Sequence, residues 1–348
     1  MRQVLILGAS YGSLLATKLL LAGHGVRLVC LPELAALIVR EGTRVRIPVR
    51  GQPGLTEIDS RTLPGRLTAS VPAAVDPSGF DLAVLAMQEP QYRSDDVRAL
   101  LARVAAARVP CLSIMNMPPL PFLSRVPGIT ASSLRDCYTD PSVWDPIDPS
   151  RLTHCSADPQ ASRVPEAGEN VIQVRLPTNF KAARFERDSE SALLRELAAS
   201  IETARLDAGA TRMEVPVKLK VHDSVFVPLA KWPMLVTGNY RCIGRDDVRS
   251  IESAVHDDLA ASSRVYQWVV DLCRALGAAG LELVAFDRYA EAATSLKSPS
   301  SVARAIAAGA THIERVDRLV QAIAAQHGRR LAELDEIVAT VDERLARR

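Results

Sequence analysis

Residues 4–30 read VLILGASYGSLLATKLLLAGHGVRLVC, a strand, a turn, a helix and a second strand packed into one short stretch. The run Val4, Leu5, Ile6, Leu7 is apolar without alternation, the pattern of a strand covered on both faces in a parallel sheet. It stops at Gly8. Over 12–22, Leu15, Ala16, Leu19 and Leu20 repeat at helical spacing, Gly23-His24-Gly25 closes the helix, and 26–31 is a second apolar run. A turn between a parallel strand and a helix offers backbone N–H groups and a helix N-terminus to a pyrophosphate. The candidate phosphate-binding residues are Gly8, Ala9, Ser10, Tyr11, Gly12 and Ser13. In the spacing G-x-G-x-x-G they supply Gly8, Ser10 and Ser13, with Gly12 beside the third position. Context makes this a nucleotide site more than the glycine count does, since the turn follows a buried strand and opens a helix. A tight turn packed on the sheet with no nucleotide is the alternative.

Working outward, a short helix over 33–40 leads to GTRVRIPVRGQPG (42–54), whose Gly and Pro content indicates a hairpin or an exposed loop. Residues 82–86 form a third buried strand, 94–107 an amphipathic helix, and 110–114 a fourth strand ending at Asn116. From 118 to 165 the chain is rich in Pro, Asp and Ser and reads as loops and a few edge strands. Residues 171–175 form a further strand, 190–204 are helical, and from about 215 onward the pattern is almost wholly helical, through 255–276, 300–308, 312–325 and 331–346. This order predicts an α/β chain: an N-terminal Rossmann-type, doubly wound parallel sheet over 1–208, then an all-α substrate and dimerisation domain over 209–348. At 348 residues, two domains of ordinary size are expected.

A formal net charge of +2, with acids and bases interspersed, gives no basic tract to follow a phosphate backbone, so no nucleic-acid partner is expected. Six scattered cysteines without a CxxC pair are read as buried thiols of a reducing cytoplasm. The apolar start superficially resembles a signal peptide, but Gly8-Ala9-Ser10 interrupts it, and no stretch approaches the ~20 residues that span a bilayer. A cytoplasmic protein without membrane partner is expected. No metal-ligand spacing and no G-x-S-x-G motif stand out, which argues against a metal site and a hydrolase. Only six of the 42 basic residues are lysines, and Lys218, Lys220 and Lys231 lie close together.

Cofactor choice is read at the end of the second strand, where an acid binds a ribose hydroxyl and an arginine a 2′-phosphate. Cys30-Leu31-Pro32-Glu33 has no base, and Glu33 could turn toward the ribose, so NAD(P)H is expected with a lean to NADH. A solvated first-turn residue is the other reading of Glu33.

With these residues in place, the chain resembles the ketopantoate reductase family, which joins a Rossmann domain to a helical substrate domain. Asp81 to Met87 is similar to the family's third strand, with Gln88 where a lysine follows, and Asn116 matches the asparagine ending the next strand. Ser300-Ser301, Gly309, Thr311-His312 and Gln326-His327-Gly328 are similar to the closing segment. The resemblance implies cofactor contacts at Met87 and Gln88 and a nicotinamide near Asn116. It implies a substrate carboxylate held by Ser300 or Ser301 with Arg304, and a second polar contact from His312 in the place of a glutamate, with Glu314 close behind. Leu31 and Gln88 replace residues that the family associates with NADPH.

The resemblance also implies a catalytic lysine early on the first helix of the second domain, with polar residues four and eight positions on. Within VPVKLKVHDSVFVPLAKWPMLVTGN (215–239), Pro216 suits a first helical turn, Lys218 has His222 at plus four, and Lys220 has Ser224. Lys218 is preferred, then Lys220, then Lys231; surface lysines covering apolar neighbours are the alternative. The same run, with its Trp-Pro-Met-Leu element, and residues 80–101 also resemble bacterial opine dehydrogenases, which reduce the imine of a 2-oxo acid and an amine. The expected activity is NAD(P)H-dependent reduction of the C2 carbonyl of a 2-oxo acid by a homodimer. Imine reduction and a non-catalytic dinucleotide sensor are the alternatives.

Overall fold

A computed structural model describes residues 1–209 and 211–347. The chain divides into two compact units, the first of residues 1–87, 91–115 and 143–223, the second of 88–90, 116–142 and 224–348. The division expected after residue 208 falls after Asp223, and part of the Pro-rich middle segment joins the second unit.

In the first unit the opening motif gives β1 (Gln3–Leu7), α1 (Gly12–Leu21) and β2 (Gly25–Val29), followed by α2 (Pro32–Glu41). Val4, Leu5, Ile6 and Leu7 have no exposed surface, as an uninterrupted apolar run at the centre of a sheet requires. Residues 42–54, expected as a hairpin or exposed loop, form β3 (Arg44–Pro48) and an exposed turn; β4 (Leu55–Asp59) pairs antiparallel with β3. Val45 and Ile47 face the core in alternation with half-buried Arg44 and Arg46.

Next come β5 (Arg66–Ser70), β6 (Leu82–Leu85), α3 (Asp95–Ala106), β7 (Cys111–Ile114), β8 (Leu152–Ser156), β9 (Gln160–Val164), β10 (Gly168–Leu176) and β11 (Phe180–Ala183). The helix Asp188–Thr203, the short antiparallel pair β12 (Leu206–Ala208) and β13 (Thr211–Met213), and β14 (Leu219–His222) complete it.

The main sheet runs β14-β11-β8-β7-β6-β1-β2-β5. From β5 to β8 all neighbours are parallel, and numbered among themselves these six strands have the 3-2-1-4-5-6 order of the doubly wound dinucleotide fold. β11 then joins β8 antiparallel and β14 joins β11 parallel. A second sheet, β4-β3-β10-β9, lies in the same unit. The edge strands expected within 118–165 are thus one edge strand of that sheet, β9, and one fully buried interior strand, β8.

In the second unit the named elements are helical, with one isolated bridge between Ile243 and Val248. Residues 255–276, expected as one helix, form Ile251–His256 and Leu259–Ala275, separated by Asp258, whose side chain accepts from Ala261 N–H as the second helix's cap. Phe286–Ala293, Ser301–Ala307, Val316–Gln326 and Ala332–Ala346 follow. The helix expected from residue 312 begins at Val316, which leaves Glu314 in the extended lead-in. Among the described residues no helix is long and apolar enough to cross a membrane.

Candidate active site

The turn after β1 is shaped by two glycines. Gly8 has φ +106°, and a Cβ there would lie 2.6 Å from the Ala86 carbonyl oxygen at the end of β6. Gly12 opens α1 against β1, and its Cβ would lie 2.6 Å from Ile6 Cγ2. Gly12 therefore takes the helix-packing part of the fingerprint's third glycine, one place before the Ser13 of the expected register. Ser13 is buried and donates its hydroxyl to the Ala9 carbonyl. Ser10 stands half-buried at the apex.

The Tyr11 side chain faces inward: its hydroxyl donates to Pro159 O at 2.7 Å and its ring meets Phe180 edge-on, so any phosphate contact falls to its backbone. Burial pushes its phenol well above the ordinary range. Leu31 is 73% exposed just beyond β2, and Glu33 is exposed in the first turn of α2. Met87 N–H donates to the Tyr92 hydroxyl at 3.2 Å, whereas Gln88 belongs to the second unit.

Lys218, Lys220 and His222 are not on a helix. Val217-Lys218-Leu219-Lys220-Val221-His222 alternates apolar and polar residues, the period of a strand, and Leu219–His222 pairs with Phe180–Ala183 as β14. Four residues along a strand separate side chains by ~13 Å, so the expected Lys218–His222 pairing does not form. The Lys218 side chain is buried, sits 3.1 Å from Glu214 and donates to Glu202 O. Lys220 pairs with Glu202 at 2.6 Å on the surface. Beside them, fully buried Lys18 donates to Val215 O at 2.7 Å and Pro216 O at 3.1 Å. Burial, with repulsion from Lys218, lowers the Lys18 ammonium to about 7. Val217 between them has φ +68°, a strained conformation for a β-branched residue.

The second unit gathers a different set. Its helical run goes from a 3-10 turn at Val227–Lys231 through Trp232–Met234 to a π segment at Leu235–Tyr240. Tyr289 shapes the π segment: a Cβ on Gly238 would lie 1.9 Å from its hydroxyl, which donates to Met234 O at 3.2 Å. Lys231 ends the 3-10 turn as the N-cap of the α-helical part, and Asn239 follows at plus eight, the spacing that Lys218 and Lys220 lacked. Ser300 caps its own helix, accepting from Ala303 N–H at 3.2 Å, and donates to Asn239 O at 2.7 Å.

Glu314 is 1% exposed and accepts from Asn116 Nδ2 at 3.3 Å and Met117 N–H at 3.5 Å. Burial raises its carboxyl, opposed by those donors, the Glu89 N–H and the nearby charge of Lys231. Glu89, also buried, accepts from Thr139 N–H at 3.1 Å and Thr139 Oγ1 at 3.0 Å; burial, with a smaller push from Glu314, raises it to about 7. With its amide N–H₂ committed to Glu314, buried Asn116 Oδ1 is left without a hydrogen-bond partner. Tyr240 fixes the position of Glu314, donating its hydroxyl to Glu314 O and accepting from Val316 N–H at 2.8 Å.

His312, expected in the glutamate's place, is exposed, with Nδ1 2.7 Å from Thr311 Oγ1; Glu314 is the buried acid. Arg304 is exposed and bonds Pro299 O, and Ser301 is half-buried in the first turn of its helix. The cluster of Glu314, Asn116 and Glu89, with the charge of Lys231 acting on it, and the separate Ser300–Asn239 contact were only partly foreseen. The plus-eight asparagine was a signal for Lys231. Glu314 was marked only by its place two residues after His312, and Glu89 had no signal, because its partner Thr139 lies far away in sequence.

The doubly wound sheet and the glycine-shaped turn define a dinucleotide-binding class of fold. No protein-family model and no curated protein sequence matches the chain. Among the solved structures it resembles along nearly its whole length are ketopantoate reductases. A PanE/ApbA-family ketopantoate reductase from Ralstonia eutropha JMP134 is 16% identical, with TM-score 0.62, 99% of this chain and 98% of that one covered. A 2-dehydropantoate 2-reductase from Methylococcus capsulatus is 13% identical, with TM-score 0.66 and the same coverage. A dimeric ketopantoate reductase from Staphylococcus aureus is 11% identical, with TM-score 0.61 and again 99% and 98% covered. The chain shares their fold.

Proposed function

We propose that this protein is an NAD(P)H-dependent reductase of a small 2-oxo acid, with Lys231 rather than Lys218 as its proton donor. One observation supports the assignment: Lys231 ends the 3-10 turn that opens the second unit's helical run, with Asn239 at plus eight, and its charge opposes the burial that raises the carboxyl of Glu314, the acid that accepts from Asn116. Lys218 lies on the first unit, paired with Glu214 and a backbone carbonyl.

The turn fits a dinucleotide, since Gly8 and Gly12 draw the backbone tight against β6 and β1 where a Cβ would collide. The turn from Gly8 to Ser13 would hold the pyrophosphate, with no base at residues 30–33 to favour a 2′-phosphate. When bound, the reduced nicotinamide supplies hydride to the C2 carbon. The Lys231 ammonium stabilises the developing oxygen anion and gives it a proton, yielding the 2-hydroxy acid. Glu314 orients Asn116, whose free Oδ1 accepts from a donor on the substrate. Ser300 holds the π segment through Asn239 rather than facing outward as a simple carboxylate ligand. A partner copy of the chain, as in the dimeric neighbour, is part of this reading.

Imine reduction is the second reading, and Asn116 Oδ1 favours it: an N–H of an imine would satisfy that buried acceptor. The deciding experiment follows oxidation of NADH and NADPH with a panel of 2-oxo acids, with and without added amines. Turnover without amine supports the carbonyl reading, and turnover only with amine transfers the site to imines. Dinucleotide binding by calorimetry without turnover on either panel leaves a sensor. Absence of any binding heat overturns the proposal.

A further inference from the structure

A groove of about 360 Å³ opens in the second unit, between the segment that follows Tyr240, the helix Leu259–Ala275 and the C-terminal helix Ala332–Ala346. Ile243, Val265 and Ile337 give it apolar lining, and Arg241, Arg245 and Arg249 also line it. Arg249 has an acid, Asp257 at 3.1 Å, and donates to the Arg241 carbonyl. Arg241 is different. Its guanidinium donates to the neutral hydroxyl of Ser262, and among the described residues no carboxylate lies within ion-pair distance of it. Burial and the nearby Arg249 oppose its charge, and Asp258, near but not paired with it, offsets them only in part. An arginine cannot shed its proton to escape this, so a partly buried guanidinium without a paired acid gains from an arriving anion.

We propose that the groove is a binding site for a small phosphorylated molecule, its phosphate on Arg241 and Arg249 and its apolar part on Ile243, Val265 and Ile337. A doubly charged oxyanion matches adjacent guanidiniums better than a single carboxylate does, and planar forks suit phosphate oxygens. Glu336, exposed, and Glu333, already 3.4 Å from Arg264, also line the groove and bias it against anions that lack a second, hydrogen-bond-donating group. Arg241 directly follows Tyr240, so a ligand that fixes it also steadies the hydroxyl bridging Glu314 and Val316.

Binding of inorganic phosphate to the full chain tests this by calorimetry, independently of any reductase activity. Arg241→Gln is expected to weaken binding about tenfold or more, the usual loss of a charge-assisted hydrogen bond. Glu336→Gln is expected to strengthen it severalfold by removing a like charge. Undiminished affinity in Arg241→Gln, or no binding by the wild type, overturns the site. Should Arg241→Gln fail to fold, hydrogen exchange of the wild-type chain decides: phosphate-dependent protection over 241–249 supports the site, and protection confined to the turn at 8–13 overturns it.

Discussion

The strand Leu219–His222 and the helical run from Val227 to Tyr240 are near neighbours in sequence, and each presents lysine in a chain that has little. They place it in different surroundings. The strand's lysines are anchored: Lys218 to Glu214 and a carbonyl, Lys220 to Glu202, with Lys18 holding the preceding turn through two more carbonyls. Lys231 lies within electrostatic reach of buried Glu314, and Asn116, one of the donors to that acid, has an unsatisfied oxygen. The lesson is that residue type and rarity mark a neighbourhood, while the backbone period decides which element each lysine sits on and so what surrounds it.

The sharpest way to break this comparison is Lys231→Ala. Turnover is expected to fall about 10³-fold, in the range of a lost general acid, with dinucleotide binding by calorimetry unchanged. A comparable loss in Lys218→Ala with folding intact would reverse the assignment.

The next effect is on pH. A folded-state Glu89 carboxyl near 7, against an ordinary 4.5, means the folded chain binds the proton more tightly than the unfolded chain. Its stabilising contribution is complete below about 4.5 and is lost as pH rises through about 7, by up to about 3 kcal/mol. Glu89→Gln should flatten that window in denaturant titrations across pH, and an unchanged slope would remove Glu89 from the titrating set.

Smaller still is Lys18→Met, expected to cost about 1–3 kcal/mol by leaving the Val215 and Pro216 carbonyls unpaired, while the proposed turnover persists in the folded chain. Retained stability there would show that the ammonium was not holding the turn. At the bottom, Lys220→Ala should change stability by no more than about 0.5 kcal/mol and leave turnover alone, since its Glu202 pair is exposed.

The opening motif was legible because its signals are local. An unbroken apolar run, a glycine that must take positive φ, and helical spacing all lie within 4–30, and the sheet follows from repeating that unit. Ser13 was assigned the third-glycine position, but only packing distances show Gly12 in that role. The strand at 219–222 was legible too, from its alternation, but the expectation of a helix at the domain start overrode it. Interior strand β8 hid in a Pro-rich region because no periodicity tells an edge strand from a central one. The acid cluster was beyond local reading altogether: Asn116 and Glu314 are 198 positions apart, and Glu89 and Thr139 are 50 apart. Such pairs are created by tertiary packing and leave no mark on either segment.

One hydroxyl has implications for how this chain can evolve. Tyr240 lines the arginine groove with its body and, at its tip, ties the backbone on both sides of Arg315. Sequence drift on the groove side that shifts this ring moves the buried acid as well, and drift around the acid disturbs the groove. The two neighbourhoods should therefore change together among descendants of this gene, and a lineage that replaces Tyr240 should show compensating changes in both.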